Sequence, residues 1–170
     1  MKVTNLKVYT DGACGNNGDW VGGYGYVFYL KDEMCKYKWL YLNGGGEANT
    51  TNNIMEMKAF LGALEYFEQW CKVNSHRENI LTIYTDSAYI YNCLTQKWYL
   101  KWLENGWVNS KGEPVKNKEL WQRILSYIIK SDNIIVEKVK GHSDDDFNNF
   151  VDMVAVDFKE KVRHSIDKGE

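Results

Sequence analysis

The segment VYTDG, Val8 to Gly12, closes one alternating apolar run, and IYTDS, Ile83 to Ser87, closes another. The same Tyr-Thr-Asp at the end of two separate runs has two explanations. The chain is internally duplicated, or two strands each deliver one carboxylate to a common place. The residues beyond each triplet discriminate. Asp11 leads into a Gly/Asn loop, Gly-Ala-Cys-Gly-Asn-Asn-Gly, whereas Asp86 leads into Ser-Ala-Tyr-Ile-Tyr, a capped helix start. No further repeat accompanies the echo, so duplication loses and the carboxylate reading stays open.

Working outward, Val3 to Thr10 alternates as a strand does, and Gly22 to Leu30 is a Tyr/Val/Phe-rich strand opened by glycines. Cys35 to Asn43 alternates as a third strand, and the short link at 31–34 predicts a hairpin between the two. Asn43-Gly-Gly-Gly-Glu reads as a loop. Ile54, Met57, Leu61 and Leu64 recur at helical spacing and predict a helix over Thr51 to Trp70, with Glu56 in its first turn, where the dipole favours an acid. Ile80 to Thr85 is a strand and Ser87 caps a short helix. Lys97 to Asn105 and Lys118 to Lys130 are helices, Ile134 to Val139 a strand, and Phe147 to His164 a final helix. The order β-β-β-α-β-α-α-α-β-α predicts an α/β fold, a mixed sheet covered by helices. No composition break divides the chain, so one domain is expected over 1–165, with a tail at 166–170.

Composition bounds the function. The 170 residues carry a formal net charge of -2, so no global basic field points to nucleic acid, and any basic patch is local. The N-terminal MKVTNLKVYTDG holds no signal-peptide core, and no apolar run approaches the roughly 20 residues of a membrane helix. Cys14, Cys35, Cys71 and Cys93 are widely spaced without a CxxC pair, which disfavours zinc and fits free thiols in a cytoplasmic protein.

Asp11 and Asp86 close two strands at the edge where ligands bind in open α/β sheets. Glu56 begins a helix entering from that side, and Asp152 lies early in the last helix. Taken singly, an Asp before Gly or Ser is a turn or capping residue, Glu56 a dipole partner and Asp152 a solvated helix residue. As a set on one edge they would repel one another, and a divalent cation offsets that repulsion; all-oxygen ligation favours magnesium or manganese.

With YTDGAC and GGYG, TTNNIMEM, YTDSAYI, GWVNSKGEPVKNKELWQR and KVKGHSDDDFNNFVDMVA in this order, the chain resembles type 1 ribonuclease H over about Val3 to Val162. The resemblance implies a five-stranded sheet in the order 3-2-1-4-5 with strand 2 antiparallel. It implies cleavage of the RNA strand of an RNA·DNA hybrid, leaving 3′-hydroxyl and 5′-phosphate ends. Two Mg²⁺ ions, replaceable by Mn²⁺, are implied on Asp11, Glu56, Asp86 and Asp152, with Asp11 bridging, Asp152 on the attacking-water side, and Glu56 and Asp86 on the leaving-oxygen side. His142 matches a loop His that moves protons or aids product release. Read from the residue alone, His142 is either a proton shuttle with an ordinary pKa of about 6.5 or a surface His.

The family's substrate contacts fall on Asn16, with Asn17 beside it, and on Thr51, Asn52 and Asn53. These last three also read as helix-capping residues. In the protrusion they fall on Trp98 and Lys101. A monomer that binds RNA·DNA hybrid and no membrane is expected.

Two departures stand out. Where bacterial members carry Lys-Lys-Arg before Gly-Trp, this chain has Leu103-Glu104-Asn105, and Glu104, Glu113 and Glu119 offset Lys97, Lys101, Lys111, Lys116 and Lys118. A protrusion retained in shape but weak in grip is expected. The family's Gln after TDS is Ala88. Asp144, Asp145 and Asp146 crowd the His142 loop, either as a solvated turn or as carboxylates that weakly attract extra divalent ions or repel product. A hybrid-binding protein that does not cut, and a DNA nuclease of the same fold, remain as alternatives.

Overall fold

The computed structural model describes residues 2–15, 20–140 and 144–169. Strands β1 (Val3–Cys14), β2 (Gly22–Lys31) and β3 (Tyr37–Glu47) precede helix α1 (Asn52–Val73) and strand β4 (Glu78–Thr85). Helices α2 (Ala88–Thr95), α3 (Tyr99–Glu104) and α4 (Lys118–Ile128) follow, then β5 (Ile134–Lys138) and α5 (Asp146–Asp167). The strands form one sheet in the order β3-β2-β1-β4-β5. β2 runs antiparallel to β1 and β3, while β1–β4 and β4–β5 are parallel. Element order, sheet order and the antiparallel second strand agree with the reading of the sequence.

Period-two alternation assigns the faces. Leu6 and Val8 of β1, with Leu81 and Ile83 of β4, point to one face, where they bury Met57, Phe60, Leu61 and Leu64 of α1 and Trp121 and Ile124 of α4. Each such fully buried side chain contributes about 1.5–3 kcal/mol. The intervening Tyr9, with Val27 and Tyr29 of β2, faces the other side and packs under Val151, Val154 and Phe147 of α5. The sheet is thus covered on both faces, as parallel strands require.

Four expectations need correction. β1 does not end at the Tyr-Thr-Asp triplet but runs on through Gly12 to Cys14, paired with β2 from Gly12↔Tyr24 to Cys14↔Gly22. Asn43 to Glu47 is not a loop but the last part of β3, paired along β2 from Tyr26↔Asn43 to Gly22↔Glu47. Gly44 and Gly46 lie under α5, where a Cβ on Gly46 would lie 2.7 Å from Val162 and one on Gly44 2.9 Å from the Phe158 ring, while a Cβ on Gly45 would lie 2.7 Å from Tyr24 Oη. The Trp-rich helix is also shorter than expected, because Lys97 takes a left-handed φ of 55° and no side chain caps the helix at Trp98. At the other end of the chain, α5 continues to Asp167, into the segment expected as a tail. Among the described residues no helix is long and apolar enough to cross a membrane.

Candidate metal centre

The two Tyr-Thr-Asp triplets lie side by side. The parallel register places Tyr9 opposite Tyr84, and their rings stack at 4.5 Å between centroids with 7° between planes. Thr10 Oγ1 donates to the Tyr84 carbonyl at 3.1 Å, and Thr85 Oγ1 accepts from Ser87 N at 3.1 Å. The third residues, Asp11 and Asp86, then stand together where β4 ends and the sheet opens. Ser87 caps α2 by accepting from Ile90 N, which turns the chain away at once. The tyrosines of the two triplets stack on each other, Thr10 bonds across to β4 while Thr85 fixes the turn into α2, and the aspartates present carboxylates.

Glu56 reaches the same point from α1. Thr51 caps that helix, its hydroxyl accepting from Ile54 N at 3.2 Å. Glu56 lies in the second turn rather than the first, and no acid occupies the first turn. Its place is set by contact with β1, not by the helix dipole. Gly12 permits the contact: a Cβ there would sit 2.5 Å from Glu56 N and 2.7 Å from the Met55 carbonyl carbon. With no side chain at Gly12, the helix backbone lies directly against the strand.

One carboxylate oxygen from each of Asp11, Glu56 and Asp86 lies within 4.8 Å of the others. Asp11 and Glu56 are buried at 4% exposure each, and Asp86 is half-buried. Asp152 stands at the open side, exposed on α5, close enough for its charge to act on Asp11 and Asp86. Burial first, and then the neighbouring Asp86 carboxylate, raises the pKa of Asp11 to about 8. Burial, with Asp11 and Asp86 beside it, holds Glu56 well above the ordinary carboxylate range. Asp86 is raised mainly by burial, with Asp152 adding to it. Without a cation, a proton is retained within the group at neutral pH.

The donor set fits a hard divalent cation on this geometry. Every facing atom is a carboxylate oxygen, and Glu56 Oε2 is buried with no hydrogen-bond partner among the described residues. An acceptor that bare is costly unless something positive completes it.

The remaining site residues are distributed around this centre. Thr51, Asn52 and Asn53 are exposed at the start of α1, one turn before Glu56. Trp98 and Lys101 are not brought to the carboxylates. They line an open cavity of about 700 Å³ on the protrusion, with Lys97 and Trp102. Trp98 is half-buried, its indole N–H donating to Gln96 at 3.0 Å. The other tryptophans there are packing residues: Trp102 contacts Trp107 and Trp121, and Trp121 is fully buried, donating to Tyr89 Oη at 2.8 Å. Asn16 and His142 lie outside the described residues. Of the acidic run, Asp145 is the α5 cap, accepting from Phe147 N and Asn148 N, so it is not part of a freely solvated turn.

The sequence reading missed Gly12, Tyr9 and Lys7 as determinants of this geometry. Alternation along β1 carries a signal for the last two, since it puts Lys7 and Tyr9 on the same face as Asp11.

Comparison with known proteins agrees with this geometry. The RNase H family model matches residues 3–160. The chain belongs to the RNase H family. The ribonuclease H of Caldicellulosiruptor saccharolyticus is 42% identical over 161 residues, covering 95% of this chain and 100% of that one. That of Acetivibrio thermocellus is 42% identical over 158 residues, covering 91% and 95%. The crystal structure of LC9-RNase H1, a type 1 RNase H with the type 2 active-site motif, shares the fold at a TM-score of 0.78 and 22% identity, over 95% of this chain and 74% of that one. The foamy viral protease-reverse transcriptase in complex with RNA/DNA hybrid does so at 0.70 and 19%, over 94% and 20%. The family is one of nucleases, and it implies dependence on a divalent metal.

Proposed function

We propose that this protein is a magnesium-dependent endoribonuclease that hydrolyses the RNA strand of RNA·DNA hybrids, leaving 3′-hydroxyl and 5′-phosphate ends. The observation that carries the reading is the buried group of Asp11, Glu56 and Asp86, with one bare Glu56 oxygen, in a chain 42% identical to proteins named ribonuclease H. Asp11, Glu56, Asp86 and Asp152 would hold the ions. Once bound, two divalent ions supply an activated water and stabilisation of the leaving 3′-oxygen. The chain's own residues supply the rest. Thr51, Asn52 and Asn53 present the exposed start of α1 to the sugar–phosphate backbone, where free N–H groups favour phosphate. Glu56, buried one turn further in, faces the point at which a ribose 2′-hydroxyl separates RNA from DNA. His142, by its match to the family's loop His, would move a proton or aid product release.

The test is cleavage of a labelled RNA annealed to DNA, beside single-stranded RNA, duplex RNA and duplex DNA, with Mg²⁺ or EDTA. Cutting of the hybrid alone, with products extendable at a free 3′-hydroxyl, is the expected result. Cutting of duplex DNA would favour the DNA-nuclease reading, and binding without cutting the binding-protein reading.

The protrusion contributes little to the grip. Lys97, Lys101, Lys111, Lys116 and Lys118 are exposed and, among the described residues, form no ion pair, but three glutamates share the same surface. Each phosphate contact adds about 0.9 to the slope of log affinity against log salt. Lys97→Ala with Lys101→Ala is expected to lower that slope by under about 1, against roughly 1.8 for two full phosphate contacts, and to weaken hybrid binding only a few-fold at moderate salt. A slope reduced by about 1.8 would mean that both lysines hold phosphates and that the protrusion grips the hybrid.

A further inference from the structure

Behind the carboxylates, on the α5 face of the sheet, Lys7 is buried at 8% exposure. Its ammonium lies 3.7 Å from the Phe147 ring centroid and 4.1 Å from that of Tyr37. Tyr9 and Tyr29 stand at 5.6 and 5.8 Å. Cation–π attraction and the nearby Asp145 charge offset the cost of burying this lysine. Asp145 accepts from Phe147 N at 3.0 Å, Asn148 N at 3.4 Å and Tyr9 Oη at 3.2 Å. The Tyr9 ring is held between Tyr84 and Phe147, stacked at 4.5 and 5.4 Å. One aspartate thus starts α5 and at the same time ties it to β1.

Both ties lead to the metal centre by short rigid arms. Asp11 is two residues beyond Tyr9 on the same face, about 7 Å along the strand. Asp152 is seven residues beyond Asp145, about 10 Å along the helix. A shift at the knot is carried directly into the separation of these two carboxylates.

We propose that Lys7, Tyr9 and Asp145 form a clamp that fixes Asp152 against Asp11 and thereby sets the affinity of the centre for its divalent cation. None of the three touches the reacting atoms; they are positioning residues. The inference rests on the metal-centre reading above and assigns the control of that centre to residues packed between β1 and the start of α5.

Tyr9→Phe removes one hydroxyl and keeps the stack, and Asp145→Asn keeps an oxygen to cap α5. Mn²⁺ affinity of the whole chain is measured by calorimetry without nucleic acid, together with the Mg²⁺ concentration for half-maximal cleavage and KM for the hybrid. Both variants are expected to melt within a few degrees of the parent and to bind Mn²⁺ about 10-fold more weakly, the low end for partners that orient metal ligands. They should need correspondingly more Mg²⁺, with KM unchanged. Unaltered Mn²⁺ affinity in both variants, with or without a lower Tm, overturns the proposal and leaves the knot as a stitch between helix and sheet. If the parent binds Mn²⁺ but leaves the hybrid intact, the proposed function fails, while the Mn²⁺ comparison still decides the clamp.

Discussion

Asp11→Asn abolishes cleavage of the hybrid, by on the order of 10³-fold or more, and yet makes the metal-free protein more stable at pH 8. The two effects share one cause. Asp11 is a carboxylate whose pKa is raised to about 8 from an ordinary 3.8, by burial and then by the charge of Asp86. Between these values the folded protein holds a proton that the unfolded chain has released. The unfolded state binds fewer protons, so stability falls as pH rises. The contribution is fully present below about pH 4 and is lost as pH passes through about 8. Asparagine cannot ionise and removes this dependence. In EDTA the variant is expected to melt on the order of 5 °C above the parent at pH 8 and at nearly the same temperature at pH 4. Mg²⁺ should narrow the gap at pH 8 by stabilising only the parent. Thermal melts at both pH values check this. A variant less stable than the parent at pH 8 in EDTA would mean that Asp11 is held by attractive partners and not by mutual repulsion.

Gly12→Ala is expected to act on fold and site together. The added Cβ would meet Glu56 N at 2.5 Å and the Met55 carbonyl carbon at 2.7 Å. Both are backbone atoms, so no rotamer change relieves the contact and α1 must move off β1. Overpacking of this kind costs about 1–3 kcal/mol, occasionally more. A displacement of Glu56 by about 1 Å is expected to lower the cleavage rate by on the order of 10²-fold. Melting temperature and single-turnover cleavage read the two losses separately. An alanine variant with parental Tm and rate would show that α1 can shift without consequence, and the close approach would lose its meaning.

These two residues also mark what could be read from the sequence. Asp11 was legible because the triplet that carries it recurs at Asp86, although only β4 ends at its triplet and β1 runs on to Cys14 beside β2. Glu56 was legible through the spacing of Ile54, Met57, Leu61 and Leu64, although its turn was misplaced by one. A helix start can be read only as far as its cap, and Thr51, Asn52 and Asn53 all qualify as one. Gly12 was not legible, because a glycine after an aspartate is indistinguishable from a turn until the helix that crosses it is known. Gly44 to Gly46 failed for the same reason: three successive glycines signal a break when read locally, and only the pairing with β2, with α5 over Gly44 and Gly46 and Tyr24 against Gly45, shows them as strand. Lys7 and Asp145 were hidden by their charge. A lysine and an acidic run read as solvent-facing, and the burial of Lys7 beside the half-buried Asp145 depends on aromatic residues brought together from β1, β2, β3 and α5.

The measurement closest to the central claim is hybrid cleavage by the parent and by Asp86→Asn, in Mg²⁺ and again in Mn²⁺. Asp86 is the second half of the Tyr-Thr-Asp echo, and its carboxylate shares a 4.8 Å group with Asp11 and Glu56. A single shared metal centre predicts rapid cutting of the RNA strand by the parent and loss of cutting in the variant, with hybrid binding retained in both. Undiminished cleavage by Asp86→Asn, or a parent that binds hybrid and leaves it uncut in both metals, would contradict it.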